Sequence, residues 1–228
     1  MAMLKTLLAL AACFCMAGKV RGVMVRQQAP DFTATAVVDG KFEEVSLSDY
    51  VNAGKYVVLF FYPFDFTFVC PTEILTLSER AKEMEGVQVL GISTDSHHVH
   101  LAWTRTPQED GGLGSGVSFP LIADTTKSIS RDYGVLTMDA TVDYVGAPLR
   151  GIFIIDPSNT VRSMTVNDEQ VGRNIDEVVR VVKAFQHSDK NPGVGCPANW
   201  APGKETIKAN PWESKEYFKK HAGRYDQL

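Results

Sequence analysis

A chain of 228 residues, 44% hydrophobic and 22% charged, can bury one sizeable core, and its composition excludes the disordered and collagen-like classes. Its formal net charge is −4 and no basic run or stripe occurs, which argues against a nucleic-acid partner. Four cysteines are too few for the disulfide lattice of a small secreted domain, and neither a C-x-x-C pair nor a Cys/His zinc spacing is present.

The first residues stand apart. Lys5 leads into an apolar run from Leu7 through Ala17, shorter than the ~20 residues of a membrane-spanning helix. A positive charge, a short apolar stretch and small residues at Cys15 and Ala17 follow the order of a secretory signal, with cleavage expected after Ala17. A buried N-terminal helix or an uncleaved anchor is the alternative. Read as a signal peptide, residues 1–17 direct the protein to the secretory pathway or endoplasmic reticulum and leave a mature chain with no membrane span. Read otherwise, the chain is cytoplasmic. Removal of the segment also removes Cys13 and Cys15, so that only Cys70 and Cys196 remain.

From Gln27 onward the pattern alternates. Residues 56–62 form an unbroken apolar, β-branched and aromatic run that suits a strand buried on both faces, and Pro63 ends it. Residues 87–93 and 151–156 have the same character and are closed by turn or capping residues. Between these, 73–84 places Ile74, Leu77, Ala81 and Met84 at helical spacing, and 175–185 does so with Ile175, Val178, Val179, Val182 and Phe185. Strands alternating with helices predict one α/β domain over 27–189, in three layers with much of its sheet covered on both faces. After residue 189 the composition turns to Pro, Gly, Asn and Lys, predicting an extended tail over 190–228. Trp200 and Trp212 are expected to anchor it, and a short helix near 214–221 to end it.

Cys70 lies where a buried strand gives way to a helix. Pro71 suits a first helical position, where its missing N–H costs nothing, and Glu73 favours the first turn. At the positive end of a helix dipole, with free backbone N–H groups nearby, a thiolate is stabilised, and the thiolate is the nucleophile. A buried structural thiol is the alternative. His97, His98 and His100 follow Asp95-Ser96, which reads as a helix start. No carboxylate or thiol completes a ligand set, so a solvated helix turn is expected there and no metal. Asp49, Asp124 and Asp156 read as caps and turn formers. With no phosphate-binding glycine loop, no nucleotide or other cofactor is expected.

The stretch Phe60-Phe61-Tyr62-Pro63-Phe64-Asp65-Phe66-Thr67-Phe68-Val69-Cys70-Pro71-Thr72-Glu73 closely resembles the reactive loop of typical two-cysteine peroxiredoxins, the thioredoxin peroxidases. It contains that family's Pro-x-x-x-Thr-x-x-Cys pattern as Pro63, Thr67 and Cys70. The resemblance continues through Leu149-Arg150-Gly151, Val166-Asn167-Asp168, Val171-Gly172-Arg173 and Cys196-Pro197-Ala198-Asn199-Trp200, and it spans residues 29–221. It departs from the family just before Cys196, where Gly193-Val194-Gly195 replaces the usual acidic and apolar pair.

The resemblance implies a thioredoxin-like three-layer α/β fold with a central mixed sheet and an extended C-terminal tail. It implies that Cys70 attacks peroxide, that Arg150 and Thr67 stabilise and orient the reacting oxygens, and that Pro63 shields the sulfur. Glu73 and Arg173 would hold Arg150 in place, and Cys196 of a partner chain would resolve the oxidised Cys70 as an intersubunit disulfide. The implied substrates are hydrogen peroxide and organic hydroperoxides, the implied reductant is a thioredoxin-like protein, and the implied assembly is a homodimer that forms decamers. Gly111-Gly112-Leu113-Gly114 and Tyr217-Phe218 resemble the paired motifs of the peroxide-sensitive eukaryotic type. A holdase chaperone on the same scaffold is a competing reading. A disulfide reductase would require a C-x-x-C pair that Cys70-Pro71-Thr72-Glu73 does not supply.

Overall fold

The apolar run that ends at Pro63 can be satisfied only with cover on both sides, and it forms an interior strand. The computed structural model describes residues 22–224, so the leader expected at 1–17 lies outside the described residues. Strand β3, Tyr56–Phe61, sends Tyr56, Val58 and Phe60 into one apolar cluster, joined by Tyr62 just past its end, and Val57, Leu59 and Phe61 into the other. This is the period-two alternation of a strand between two helical layers.

Around β3 the described residues build a seven-stranded sheet in the order β2-β1-β5-β4-β3-β6-β7. Its other members are β1 Thr33–Val38, β2 Lys41–Ser46, β4 Val87–Ser93, β5 Leu121–Ala123, β6 Arg150–Ile155 and β7 Val161–Asn167. β3 pairs parallel with β4 and antiparallel with β6, which makes the sheet mixed. Helices α2 (Cys70–Ala81) and α5 (Ile175–Lys190) cover one face through Ile74, Leu77, Val178, Val179 and Val182. Helix α3 (His97–Arg105) adds Trp103 to that layer. Helices α1 (Leu47–Asn52) and α4 (Ser128–Asp132) cover the other face through Leu47, Val51 and Ile129. The expected three-layer α/β fold is therefore present, and Asp124 caps α4 by accepting from the Ile129 and Ser130 N–H groups.

Val23 and Ala29 are buried in the core, and a Cβ on Gly22 would stand 2.4 Å from the Gly134 Cα, so two backbones meet there with no room for a side chain. The tail is less extended than its composition predicts. It forms a small hairpin of β8 (Val194–Gly195) and β9 (Ile207–Lys208), followed by helix α6 (Ser214–His221). Trp200 is a true anchor, buried, with its indole N–H donating to the Lys204 carbonyl. Trp212 is not. It is 75% exposed and carries only the Lys215 ammonium over its ring.

Candidate active site

β3 runs straight into the loop 62–69, and α2 begins at Cys70 itself rather than at Pro71. The residue before it, Val69, already has helical dihedrals and offers no side-chain cap. Its carbonyl instead accepts from the Thr72 and Glu73 N–H groups. As the first residue of the helix, Cys70 has no carbonyl one turn earlier to accept its N–H, which is left unpaired among the described residues, an open donor beside the sulfur. Cys70 is fully buried.

The sheet brings the first arginine to this point. β6 lies antiparallel to β3 with Ile152 opposite Phe60, so Arg150, two residues earlier in β6, emerges beside the start of the loop. Its Nη1 donates to the Cys70 Sγ at 3.3 Å and to Glu73 Oε2 at 2.8 Å, and its Nε donates to the Glu169 carbonyl. Glu73 stands one turn into α2 and is grasped from the other side by Arg173. That residue donates from its backbone N–H and its Nε to Oε1 at 2.7 and 2.8 Å, and from Nη2 to Oε2 at 3.0 Å. Arg173 Nη1 also reaches the Phe61 and Gly151 carbonyls, and its guanidinium lies 3.6 Å from the Phe60 ring centroid.

These groups are almost dry, with the side chains of Arg150, Arg173 and Glu73 exposed by 4%, 2% and 3%. Burial alone would push the Glu73 carboxyl up. The hydrogen bonds and charge of Arg173, with the charge of Arg150, outweigh it and hold the carboxyl below its ordinary range. Two buried guanidinium groups thus share one carboxylate, and one of them faces the Cys70 sulfur directly. The arrangement is suited to a sulfur nucleophile with a fixed cation at hydrogen-bond distance.

Pro63 is buried at the mouth of the loop. The Thr67 hydroxyl donates to the Phe64 carbonyl at 2.9 Å, which leaves its oxygen free to accept. Cys196 is not part of this cluster. It lies in the tail, partly buried, with its Sγ 3.7 Å from the Ala184 carbonyl of α5. Burial pushes its thiol up from the ordinary value, and the neighbouring Arg180 charge acts the other way. Cys70 and Cys196 are both free thiols.

One buried polar group beside the loop is not visible in the sequence pattern. His100 was expected on a solvated helix turn, yet its side chain is fully buried. Its Nδ1 lies 2.7 Å from Asp65 Oδ2 and its Nε2 3.2 Å from the Ile122 carbonyl. His98 is exposed and His97 half-buried, both edge-on to Phe42. The available signal was the apolar spacing of His100 with Trp103 on α3, which outweighs the polarity of imidazole. Among the described residues no cluster of His, Cys, Asp and Glu could hold a metal ion.

The glycine loop is more than a surface turn. Leu113 is fully buried in the core, and a Cβ on Gly112 would stand 2.0 Å from the Thr106 carbonyl oxygen. The Trp103 indole N–H donates to the Gly111 carbonyl. Tyr217 is buried with its ring centroid 4.3 Å from that of His221, the two rings tilted, whereas Phe218 is 46% exposed.

A thioredoxin-like sheet with a helix-starting cysteine, caged by two arginines and a shared glutamate, defines a thiol-dependent redox enzyme. Comparison with known proteins makes the assignment specific. The AhpC/TSA family model matches residues 25–164, and the C-terminal domain of 1-Cys peroxiredoxin matches residues 184–220. Peroxiredoxin-2 of Mus musculus is 56% identical over 199 residues, covering 86% of this chain and 96% of that protein. The reduced 2-Cys peroxiredoxin of Plasmodium vivax superposes with a TM-score of 0.79 at 40% identity, over 86% of this chain and 99% of that one. Thioredoxin peroxidase I of Plasmodium yoelii does so with a TM-score of 0.66 at 43% identity, over 79% and 100%. The chain belongs to the AhpC/TSA family and is a two-cysteine peroxiredoxin, an oxidoreductase that reduces peroxides with thiol chemistry.

Proposed function

We propose that Cys70 is the thiol that reacts with peroxide and that Cys196 of a second chain resolves the product. The observation that carries this reading is the Arg150 Nη1 at 3.3 Å from the Cys70 Sγ, held there by a carboxylate that Arg173 fixes from behind. The Cys70 thiolate attacks the terminal oxygen of hydrogen peroxide or an organic hydroperoxide. An S–O bond forms, the O–O bond breaks, and the departing oxide takes a proton to leave as water or an alcohol. Arg150 and the unpaired Cys70 N–H face the negative charge as it moves onto the departing oxygen, and Thr67 accepts from the peroxide O–H. Pro63 keeps bulk water off the sulfur.

The resulting Cys70 sulfenic acid is attacked by the Cys196 thiolate of the partner, forming an S–S bond and releasing hydroxide, which is protonated to water. A dithiol reductant of the thioredoxin type then reduces the disulfide, a reading supported by the kinship with a thioredoxin peroxidase. The working unit is a homodimer, and five such dimers form the decamer. No cofactor enters this cycle. The peroxidase core is assigned to 27–189 and the resolving segment to 190–228.

For the compartment, the apolar leader at 1–17 supports the secretory pathway, while kinship with the relatives matched here supports the cytoplasm. Microscopy of the full chain tagged at its C-terminus decides between them. For the chemistry, one equivalent of hydrogen peroxide should convert the reduced protein to a dimer on a non-reducing gel that dithiothreitol reverses. Cys70→Ser should abolish peroxide consumption, and retained turnover in that variant would remove Cys70 from the site.

A further inference from the structure

Cys70 is fully buried, and a sulfur shut in this way cannot meet a thiol carried by another chain. Residues 62–70 must therefore leave their places between the two chemical steps. What holds them is a group of side chains for which the peroxide step has no use. Asp65 Oδ1 accepts from the Tyr62 hydroxyl at 2.9 Å, its Oδ2 faces His100 Nδ1 at 2.7 Å, and its backbone N–H donates to Asp95 Oδ2 at 2.8 Å. The Asp65 and His100 side chains are both fully buried. One turn further along α3, the Trp103 ring lies 6.0 Å from the rings of both Tyr62 and Phe66.

The protonation pattern follows from the acceptors. The Ile122 carbonyl can only accept, so Nε2 of His100 carries a hydrogen. Between Nδ1 and Asp65 Oδ2 there is one further proton, and whichever atom holds it the pair is neutral as a whole. A buried, fully paired unit of this kind is costly to break, because each partner would be left unsatisfied. It also restrains strained backbone. Phe66, the next residue, has φ at +55°, a left-handed conformation that costs a bulky residue about 1–2 kcal/mol. That strain favours release once the neighbouring Asp65 lets go.

We propose that the buried Tyr62–Asp65–His100 triad is a latch that holds loop 62–70 in its peroxide-reducing form and so sets the fate of the Cys70 sulfenic acid. With the latch shut, a second peroxide oxidises the sulfenic acid to sulfinic acid, transferring one oxygen and leaving as water or an alcohol. With the latch open, the Cys196 thiolate reaches the sulfur, forms the disulfide and expels hydroxide. The three are positioning residues: they act on Cys70 only through the loop. The inference rests on the Cys70–Cys196 relay proposed above.

The test measures by mass spectrometry the peroxide concentration that converts half of Cys70 to sulfinic acid while a dithiol recycles the full-length enzyme. Asp65→Ala and His100→Ala each remove two buried side-chain hydrogen bonds and should each raise that concentration about tenfold, and the double variant should add little to either. Asp65→Asn is the discriminating change. Its amide can donate to Nδ1 of a neutral His100 while its oxygen accepts from Tyr62, so the latch stays paired and the concentration should stay within about twofold of the parent. Tyr62→Phe removes a single donor and should give an intermediate rise of about threefold; it carries the test if the alanine variants do not fold. Half-conversion concentrations unchanged in the folded variants, or equal in Asp65→Asn and Asp65→Ala, would overturn the latch. Failure of the relay would appear differently, as the absence of a reducible dimer in the unaltered chain.

Discussion

Glu73 and Arg173 meet in a two-pronged pair, with Oε1 taking both the backbone N–H and the Nε–H of the arginine while Oε2 takes its Nη2. The second oxygen is shared with Arg150, so one carboxylate holds both guanidinium groups of the site. Replacing it by an amide removes the carboxylate that both buried guanidinium groups share.

Glu73→Gln should accordingly destabilise the protein by about 3–5 kcal/mol, the usual cost of breaking a buried pair from one side. The carboxyl is held below its ordinary range in the folded state. Its contribution is therefore fully present above about pH 4.3 and is lost as the pH falls through the lower folded value. Thermal melts from pH 7 down to 3 should show an acid decline in the parent that is shallower in the variant. Parallel curves would mean that this carboxylate is not coupled to folding.

Arg150→Lys keeps the charge, but a lysine ammonium cannot contact the sulfur, Glu73 and the Glu169 carbonyl with one rigid fork. Peroxide consumption measured by stopped flow should fall by roughly two orders of magnitude, the scale of one lost electrostatic stabiliser. A rate near that of the parent would exclude Arg150 from charge stabilisation.

Cys196→Ser should leave a single stoichiometric reaction with peroxide and remove both reductant-coupled turnover and the covalent dimer. Because burial pushes the Cys196 thiol up, its thiolate fraction in the parent should still be rising above about pH 8.5. Disulfide formation, followed after a fast peroxide pulse, should accelerate across that range. A flat profile from pH 7 to 9 would place the ionisation that limits resolution on another group.

Deletion of the chain from Ser214 removes α6 with its buried Tyr217. By the resemblance of this helix and the Gly111–Gly114 loop to the paired motifs of peroxide-sensitive peroxiredoxins, the truncated enzyme should accumulate less sulfinic acid at Cys70 under excess peroxide. Equal sulfinic acid in both forms would show that α6 does not slow resolution here.

Much of this protein was legible in its sequence, because much of it is written in local patterns. An unbroken β-branched and aromatic run forms β3, residues 87–93 form β4, and the apolar spacing from Ile175 forms one face of α5. The position of Cys70 at a helix start is equally local, since Pro71 and Glu73 mark it. The tertiary structure alone decided which charges surround that sulfur. Arg150 is 80 residues from Cys70, and Arg173 is 100 residues from Glu73. The antiparallel register of β3 with β6 brings the first pair together, and no periodicity along the chain encodes that register. The same limit explains His100, whose polarity suggested solvent and whose burial depends on an aspartate 35 residues away. It also explains Trp212, whose size suggested an anchor although no pocket of the described chain receives it. Sequence patterns state what each segment requires, whereas the pairing of strands decides which distant side chains meet that requirement.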